Sequence, residues 1–300
     1  MSTTSSVTPQ MVVDHYSALA RENDTKNTDH IQKVAESFGY APEDLAGIPE
    51  GANLGISCGN PLAVAGLKPG ETVIDLGSGA GFDVFQAARK VRPKGLSIGV
   101  DMSRDMLDRA QTNASKASIT NVKFVLSTIT KVPLESENAD CIISNCVINL
   151  LPADEKPVCF AEVYRLLRPG GRVALSDILA KNEFPEELRM DMALYVGCIS
   201  GASLAGEYEG WLRAAGFEDV MIVDKHSDLN IYKEQLQDEE EASCCSTSIS
   251  KEKAAGRVAD IDFNDWVTSM PSNLASLLSR PILEMISERL GKHYVSHQSL

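Results

Sequence analysis

The sequence predicts an α/β fold in which a mostly parallel sheet carries helices on both faces. From Glu71 onward, short apolar runs alternate with amphipathic segments of helical period. A glycine-rich turn follows the first apolar run, as expected where a strand feeds the next helix. The chain of 300 residues divides into a helical and loop-rich cap (1–70), the alternating core (71–233) and a C-terminal linker and tail (234–300).

The alternation in the core predicts six strands with helices between them. The strands are expected at 72–77, 96–103, 122–129, 139–148, 172–179 and 217–225. The helices are expected at 82–91, 104–114, 153–171, 186–197 and 204–216. Residues 11–39 and 272–291 also have a helical pattern, the first with a polar break near 23–27 and the second with a break at Pro281.

Composition excludes several classes of partner. The formal net charge of −14 argues against nucleic acid and against an anionic membrane surface. No apolar run approaches the roughly 18 residues of a membrane span. The segment MSTTSSVTPQ lacks the basic and apolar regions of a signal peptide, so a cytoplasmic protein is expected. In that reducing compartment the seven cysteines are expected to be mostly free thiols.

The stretch VIDLGSGAGFD (73–83) carries glycines with G-x-G-x-G spacing at the end of the first strand. Glycines there let a ligand approach the backbone. Asp75 suits a cationic ligand better than a pyrophosphate, and Asp101 at the end of the second strand is placed to accept ribose hydroxyls. Met102 beside it is suited to pack on adenine. These features favour S-adenosylmethionine over a nicotinamide dinucleotide.

Three cysteines occur where working groups of such a fold are expected. Cys146 follows the fourth strand, Cys198 follows the helix after the fifth strand, and Cys58 lies in a glycine-rich loop before the first strand. Each could also be a small buried hydrophobic residue, an interpretation that suits Cys141 and Cys159. No local motif such as C-x-x-C decides between the two.

Segments 50–83, 142–152 and 195–203 together resemble arsenite S-adenosylmethionine methyltransferases. The resemblance extends over about 39–225 and implies the Rossmann-like fold of class I methyltransferases with a divergent C-terminal tail. It implies that Cys146 and Cys198 bind trivalent arsenic and that Cys58 takes part in thiol exchange or in the redox cycle, so we expect all three to be ligands. The expected donor site consists of Asp75, Gly77, Ser78, Gly79, Gly81, Asp101, Met102, Thr128, Ile129 and Asn145.

The chemistry explains why thiols are needed. Arsenite is neutral at neutral pH, and soft trivalent arsenic exchanges its hydroxyls for thiolates. Its remaining lone pair is then the nucleophile, so methylation of arsenite or methylarsenite needs positioning rather than a general base. Methylation formally oxidises arsenic, and returning it to the trivalent state takes two electrons. We expect an external thiol reductant of the glutathione or thioredoxin type.

The sequence departs from the resembled family at both ends. Residues 16–40 lack the cysteine that its members commonly carry, and the tail 271–300 has a helical pattern where a last strand is expected. Cys244 and Cys245 either capture arsenite and pass it inward, or contribute electrons, or are incidental. Two other functions stay open: methylation of another small molecule, with structural cysteines, and non-catalytic binding of arsenic.

Overall fold

The computed structural model describes residues 8–21, 28–184, 192–224 and 293–297. Its strands are β1 (Thr72–Leu76), β2 (Leu96–Asp101), β3 (Val122–Leu126), β4 (Ala139–Asn145), β5 (Leu167–Asp177), β6 (Leu179–Ala180), β7 (Ser203–Leu204), β8 (Ile222–Val223) and β9 (His293–His297). Seven of them form one sheet in the order β3-β2-β1-β4-β5-β9-β8, and every pairing in it is parallel. β6 and β7 pair separately.

The helices are α1 (Pro9–Arg21), α2 (Thr28–Ser37), α3 (Pro42–Leu45), α4 (Phe82–Lys90), α5 (Arg104–Lys116), α6 (Lys156–Leu166), α7 (Met192–Val196) and α8 (Ala205–Ala215). Ser103 is the N-cap of α5, and its hydroxyl accepts the Met106 N–H. Among the described helices, none is both long enough and apolar enough to cross a bilayer.

Alternate residues of the central strands pack on opposite faces of the sheet. On β1, Ile74 belongs to the core under α6 and α8, whereas Val73 packs with Ala87 of α4. On β4, Ile142 packs in the core under α6 and α8, whereas Cys141 packs on the opposite face with Ala87. Both faces are therefore covered, as parallel strands with apolar side chains on both sides require. The predicted α/β fold with a mostly parallel sheet is confirmed.

The strand order sets the position of a ligand site. β1 pairs with β2 on one side and with β4 on the other, so the connections leave β1 in opposite directions. At such a switch point the loops separate and open a crevice at the carboxyl ends of the strands. The glycine turn after β1 and the segment after β4 border this crevice.

Several predicted boundaries were wrong. The helix predicted at 153–171 ends at Leu166, and the Pro169–Gly171 turn belongs to β5. Helical backbone is disfavoured before a proline, which explains the early end. The strand predicted at 139–148 ends at Asn145, and only Ile222–Val223 of the strand predicted at 217–225 is extended.

The end of the tail contains a strand where the sequence predicted a helical pattern. His293–His297 forms β9, which lies between β5 and β8 and is parallel to both. The tail thus completes the sheet at this point. Three features of the sequence lie outside the described residues: the helix predicted at 272–291, the pair Cys244 and Cys245, and the polar break at 23–27.

Candidate active site

A pocket opens at the carboxyl ends of β1, β2 and β4. Nine of the ten predicted donor-site residues line it: Asp75, Gly77, Ser78, Gly79, Asp101, Met102, Thr128, Ile129 and Asn145. Gly81 does not line it. That glycine begins α4 with φ 93°, and a Cβ there would overlap the Phe85 ring. In this structure Gly81 is the N-cap that begins α4, and its role toward the donor stays a prediction.

The glycine turn after β1 lines the pocket with backbone that carries no side chains at Gly77 and Gly79. Gly77 has φ 72°, and a Cβ at this position would overlap the Val147 side chain. Gly79 has φ 50°, and its N–H donates to the Asp101 carboxylate at 2.8 Å. A second N–H, from Ser103, reaches the other oxygen of Asp101 at 2.8 Å. The Asp101 side chain is thus held rigidly at the pocket wall.

The pocket wall is acidic. Asp75, Asp83, Asp101 and Glu155 line it, and no Lys, Arg or His is among the described lining residues. Burial raises the pKa of Asp83 to about 6, although hydrogen bonds from Asn145 and Tyr40 oppose the shift. Burial and the charges of Asp83 and Asp101 raise the pKa of Asp75 well above its usual value. Carboxylates without a nearby cation favour a positively charged ligand.

A buried polar network joins the pocket to the loop that carries Cys58. The Asn145 amide nitrogen lies 3.1 Å from Asp83 Oδ2, 2.7 Å from Ser57 Oγ and 3.0 Å from Tyr40 Oη. Its oxygen accepts the Cys58 N–H at 3.2 Å. The Tyr40 hydroxyl donates to Asp83 at 2.7 Å. Asn145 therefore fixes the Cys58 loop against the end of β4.

Asp83, Tyr40 and Ser57 are site residues that sequence reasoning missed. Asp83 comes directly after the glycine turn, where a third carboxylate was a usable signal. Tyr40 and Asp83 are 43 residues apart, and no local pattern connects them. Val12, Val13 and Tyr16 of α1 also line the pocket and were missed. The Tyr16 hydroxyl donates to the Val196 carbonyl at 3.0 Å, which links α1 to the segment before Cys198.

The three predicted cysteines meet at one place. The sulfur atoms of Cys58, Cys146 and Cys198 all lie within 4.8 Å of one another, and all three residues are buried. Cys58 and Cys146 are joined by a disulfide, and the Cys198 thiol donates to the Cys146 carbonyl at 2.6 Å. Cys146 also lines the pocket. The cluster therefore borders the proposed donor site directly.

Two of these cysteines have an unusual backbone. Cys146 has φ 58° and Cys198 has φ 63°, in the left-handed region that non-glycine residues seldom occupy. At Cys146 the chain turns out of β4 into a short 3₁₀ turn, Ile148–Leu150, while its N–H still donates to Ser176 at 2.7 Å. Strain of this kind persists only where surrounding contacts enforce it, and it is concentrated at functional sites.

The three free thiols among the described residues are all buried, and burial raises the pKa of each. Burial raises the pKa of Cys141 to about 12 and raises that of Cys159 further. Both are fully buried in the core, which agrees with their prediction as structural residues. Burial and the charge of Asp177 also raise the pKa of Cys198 well above its usual value. The Cys198 thiol is therefore protonated when no ligand replaces its proton.

A parallel sheet with a glycine turn and an acidic crevice at its switch point is typical of a methyltransferase. Residues 67–216, which are 150 of the 300, match the family model described as a methyltransferase domain. The chain belongs to that family.

Named relatives make the resemblance more specific. An arsenite methyltransferase from Halobacterium salinarum is 48% identical over 191 residues, which are 64% of this chain and 48% of that protein. The arsenite methyltransferase of Homo sapiens is 34% identical over 139 residues, 43% of this chain and 36% of that protein. The chain thus spans about half or less of the length of these relatives.

A solved structure agrees with these relatives. The X-ray structure of an arsenic(III) S-adenosylmethionine methyltransferase from Chlamydomonas reinhardtii superposes with a TM-score of 0.52 at 29% identity. The match covers 69% of each chain.

Proposed function

We propose that the protein transfers methyl groups from S-adenosylmethionine to trivalent arsenic, as arsenite or a methylated arsenite, and thereby detoxifies arsenic. The arsenic is held by Cys58, Cys146 and Cys198. The observation that carries this proposal is the meeting of three buried sulfurs within 4.8 Å of one another at the edge of the donor pocket. The names of the relatives support the same substrate.

The residues of the pocket fit the proposed donor. S-adenosylmethionine, when bound, supplies a methyl group made electrophilic by the positive charge of its sulfonium. Asp75 and Asp83 line the pocket, and because their pKa values are raised, a bound cation would stabilise their ionised forms. Gly77 and Gly79 keep the backbone clear of side chains, and Asp101 presents a carboxylate fixed by two backbone N–H groups.

Arsenite binding is an exchange of ligands. Three thiols give up their protons to three hydroxyl groups of arsenite, three As–S bonds replace three As–O bonds, and three water molecules leave. No net proton is released, so the high pKa of Cys198 does not oppose the exchange. The buried surroundings of the sulfurs exclude water from the product, which favours soft thiolate ligands over water.

The residues around the cluster act by positioning. The left-handed backbone of Cys146 turns its segment from β4 toward the pocket, and Asn145 holds the Cys58 loop beside it. Arsenic bound at this edge presents its lone pair to the neighbouring pocket, and the lone pair itself forms the new bond. This site therefore needs no general base for methyl transfer, and proximity supplies most of the catalysis.

Each methylation must be followed by a two-electron reduction of arsenic. The arsenic lone pair becomes the As–C bond, and two electrons are needed to restore a lone pair. Cys58 and Cys146 can supply them: their two As–S bonds break, the S–S bond of the disulfide forms, and arsenic returns to the trivalent state. Two external thiols of the glutathione type, or one dithiol of the thioredoxin type, then reduce that disulfide by exchange and are themselves oxidised to a disulfide. A reducing cytoplasm is the compartment that suits this cycle.

Ionisation of Asp83 should increase donor affinity roughly tenfold as the pH rises from about 5 to about 7.5. With its pKa raised to about 6, Asp83 is mostly protonated at the lower pH and ionised at the upper one, and the raised pKa of the neighbouring Asp75 adds to the same trend. A cationic donor binds the ionised carboxylate better, so binding releases a proton and affinity grows until the free carboxyl is fully ionised. Calorimetric titration with S-adenosylmethionine measures this. Asp83→Asn should flatten the curve, and a wild-type affinity that fell with pH would contradict the assignment.

The function is tested by incubating the purified protein with arsenite, S-adenosylmethionine and a dithiol, and then separating the arsenic species. We expect methylated arsenic and an equal amount of S-adenosylhomocysteine. Tight arsenite binding without methylated product would instead identify an arsenic-binding protein. Turnover of another small molecule that was insensitive to Cys146→Ser and Cys198→Ser would identify a different methyltransferase.

A further inference from the structure

Asn149 lies between the two cysteine-bearing segments and is completely buried. It belongs to the 3₁₀ turn that follows Cys146, three residues further along the chain. Its side chain points away from the pocket, whose described lining does not include it, and toward the loop that carries Cys198. An asparagine in such a position needs partners for its amide, and these partners indicate its role.

The Asn149 amide group bridges two backbone segments. Its nitrogen donates to the Ile178 carbonyl at 2.7 Å and to the Cys198 carbonyl at 3.2 Å, which uses both of its hydrogens. Its oxygen lies 3.4 Å from the hydroxyl of Tyr208. The side chain thus ties the segment after β5 to Cys198, which is 49 residues away from Asn149 in the sequence.

The Cys198 loop packs directly on the backbone of the same turn. A Cβ at Gly201 would overlap the Asn149 carbonyl oxygen, so the loop approaches as closely as glycine allows. The Tyr195 hydroxyl donates to the Leu150 carbonyl at 3.0 Å and is a second link between the two segments. The Asn149 amide acts on the backbone carbonyl of Cys198, whereas the Cys198 thiol donates to the Cys146 carbonyl.

Cys198 needs such a restraint because its backbone is strained. Its φ of 63° is unfavourable for a residue with a side chain. The other backbone hydrogen bonds of the loop are local, from Cys198 to Tyr195 and from Ile199 to Leu194. They shape the turn but do not set its distance from Cys146. Lys156 holds the far end of the loop at Gly201, and the Cys198 thiol donates to the Cys146 carbonyl. That thiol bond is lost when arsenic replaces the thiol proton, so the Asn149 amide is then the side-chain link that holds the backbone of Cys198.

We propose that Asn149 is a positioning residue that holds Cys198 within reach of an arsenic atom bound by Cys58 and Cys146. Coordination of arsenic by a third sulfur then depends on the Asn149 amide, whereas donor binding does not. This inference rests on the proposed function for its substrate. Its effect on the Cys198 loop is measurable without any arsenic.

The test compares Asn149→Ala with Asn121→Ala. Asn121 is a matched control because its amide also bridges two backbone carbonyls, those of Ala88 and Gly95, outside the cysteine cluster. Asn149→Ser, which keeps one donor and leaves a smaller cavity, is the milder second variant. Each reduced protein is loaded with one equivalent of arsenite, and X-ray absorption counts the sulfur ligands. Mass spectrometry then follows maleimide labelling of each thiol in the arsenic-free protein.

For Asn149→Ala we expect loss of one arsenic–sulfur bond, with an oxygen in its place, and labelling of Cys198 that is roughly tenfold faster. Labelling of Cys141 and Cys159 should not change, and neither should the affinity for S-adenosylmethionine. In Asn149→Ser, Cys198 should be labelled at a rate between those of the wild type and Asn149→Ala. Asn121→Ala should behave like the wild type in both measurements.

Three sulfur ligands and unchanged labelling in Asn149→Ala would overturn the inference. Loss of donor binding in both Asn149 variants would also overturn it, because Asn149 would then support the fold generally. If the wild type bound no arsenite, the proposed function would fail. The labelling of Cys198 would still decide whether Asn149 restrains its loop.

Discussion

Replacing Cys198 with serine should lower the rate of methylarsenic formation by about 100-fold or more. The hydroxyl of serine is a hard ligand that does not displace arsenite hydroxyls, so arsenic keeps at most two sulfur ligands. It is then free to rotate away from the donor pocket. Affinity for S-adenosylmethionine should stay the same, because Cys198 is not among the described lining residues of that pocket.

Cys141→Ser is the matched control for this variant. Cys141 is also a free and fully buried thiol, and it lies on β4, upstream of Cys146. It faces the core under α4 and not the cluster. We expect its activity to stay close to that of the wild type after correction for any loss of folded protein. Equal activity of the two variants, measured by separating the arsenic species, would exclude Cys198 as an arsenic ligand.

Oxidised protein, in which Cys58 and Cys146 are joined, should bind arsenite about 100-fold more weakly than reduced protein. The disulfide removes two of the three ligands and leaves Cys198 as the only free thiol of the cluster. Reduction by a dithiol should restore tight binding with one arsenic per chain. Equilibrium dialysis of both forms with arsenite, followed by elemental analysis, measures the difference.

Cys58→Ser distinguishes loss of a ligand from loss of redox control. Without Cys58 the Cys58–Cys146 disulfide cannot form, so a dithiol has no such bond to reduce. The variant should bind arsenite with the same affinity before and after treatment with a dithiol, although more weakly than the reduced wild type. Oxidised wild type that bound arsenite as tightly as reduced wild type would contradict a site built from these three cysteines.

The pocket at the carboxyl ends of β1 and β2 was predictable because its signals are local. A glycine turn directly after an apolar run, with Asp75 before it and Asp101 at the end of the next strand, specifies a backbone conformation and a charge. Parallel strands then bring these groups to one edge of the sheet without further information. The position of Gly81 at the start of α4, outside the pocket lining, was not predictable, because glycine spacing does not reveal which glycine borders a pocket and which begins a helix.

The arrangement of the three clustered cysteines was only partly predictable from the sequence. The resemblance indicated Cys58, Cys146 and Cys198, but the pairing of Cys58 with Cys146 depends on how two loops meet across 88 residues. The Tyr40–Asp83–Asn145 network and the Asn149 link depend on tertiary packing in the same way. The strand His293–His297 was missed because pairing in the sheet, and not its local sequence, specifies it.

Methyl transfer to cysteine-bound arsenic is tested most directly by the arsenic speciation experiment in single-turnover form. Reduced protein is loaded with one equivalent of arsenite, free thiol is removed, and S-adenosylmethionine with a labelled methyl group is added. We predict that roughly one labelled methyl group moves to each bound arsenic, and that turnover stops with Cys58 and Cys146 joined until a thiol is supplied. Arsenic that stays unmethylated on the cysteines, while S-adenosylmethionine is bound in the same protein, would contradict this prediction.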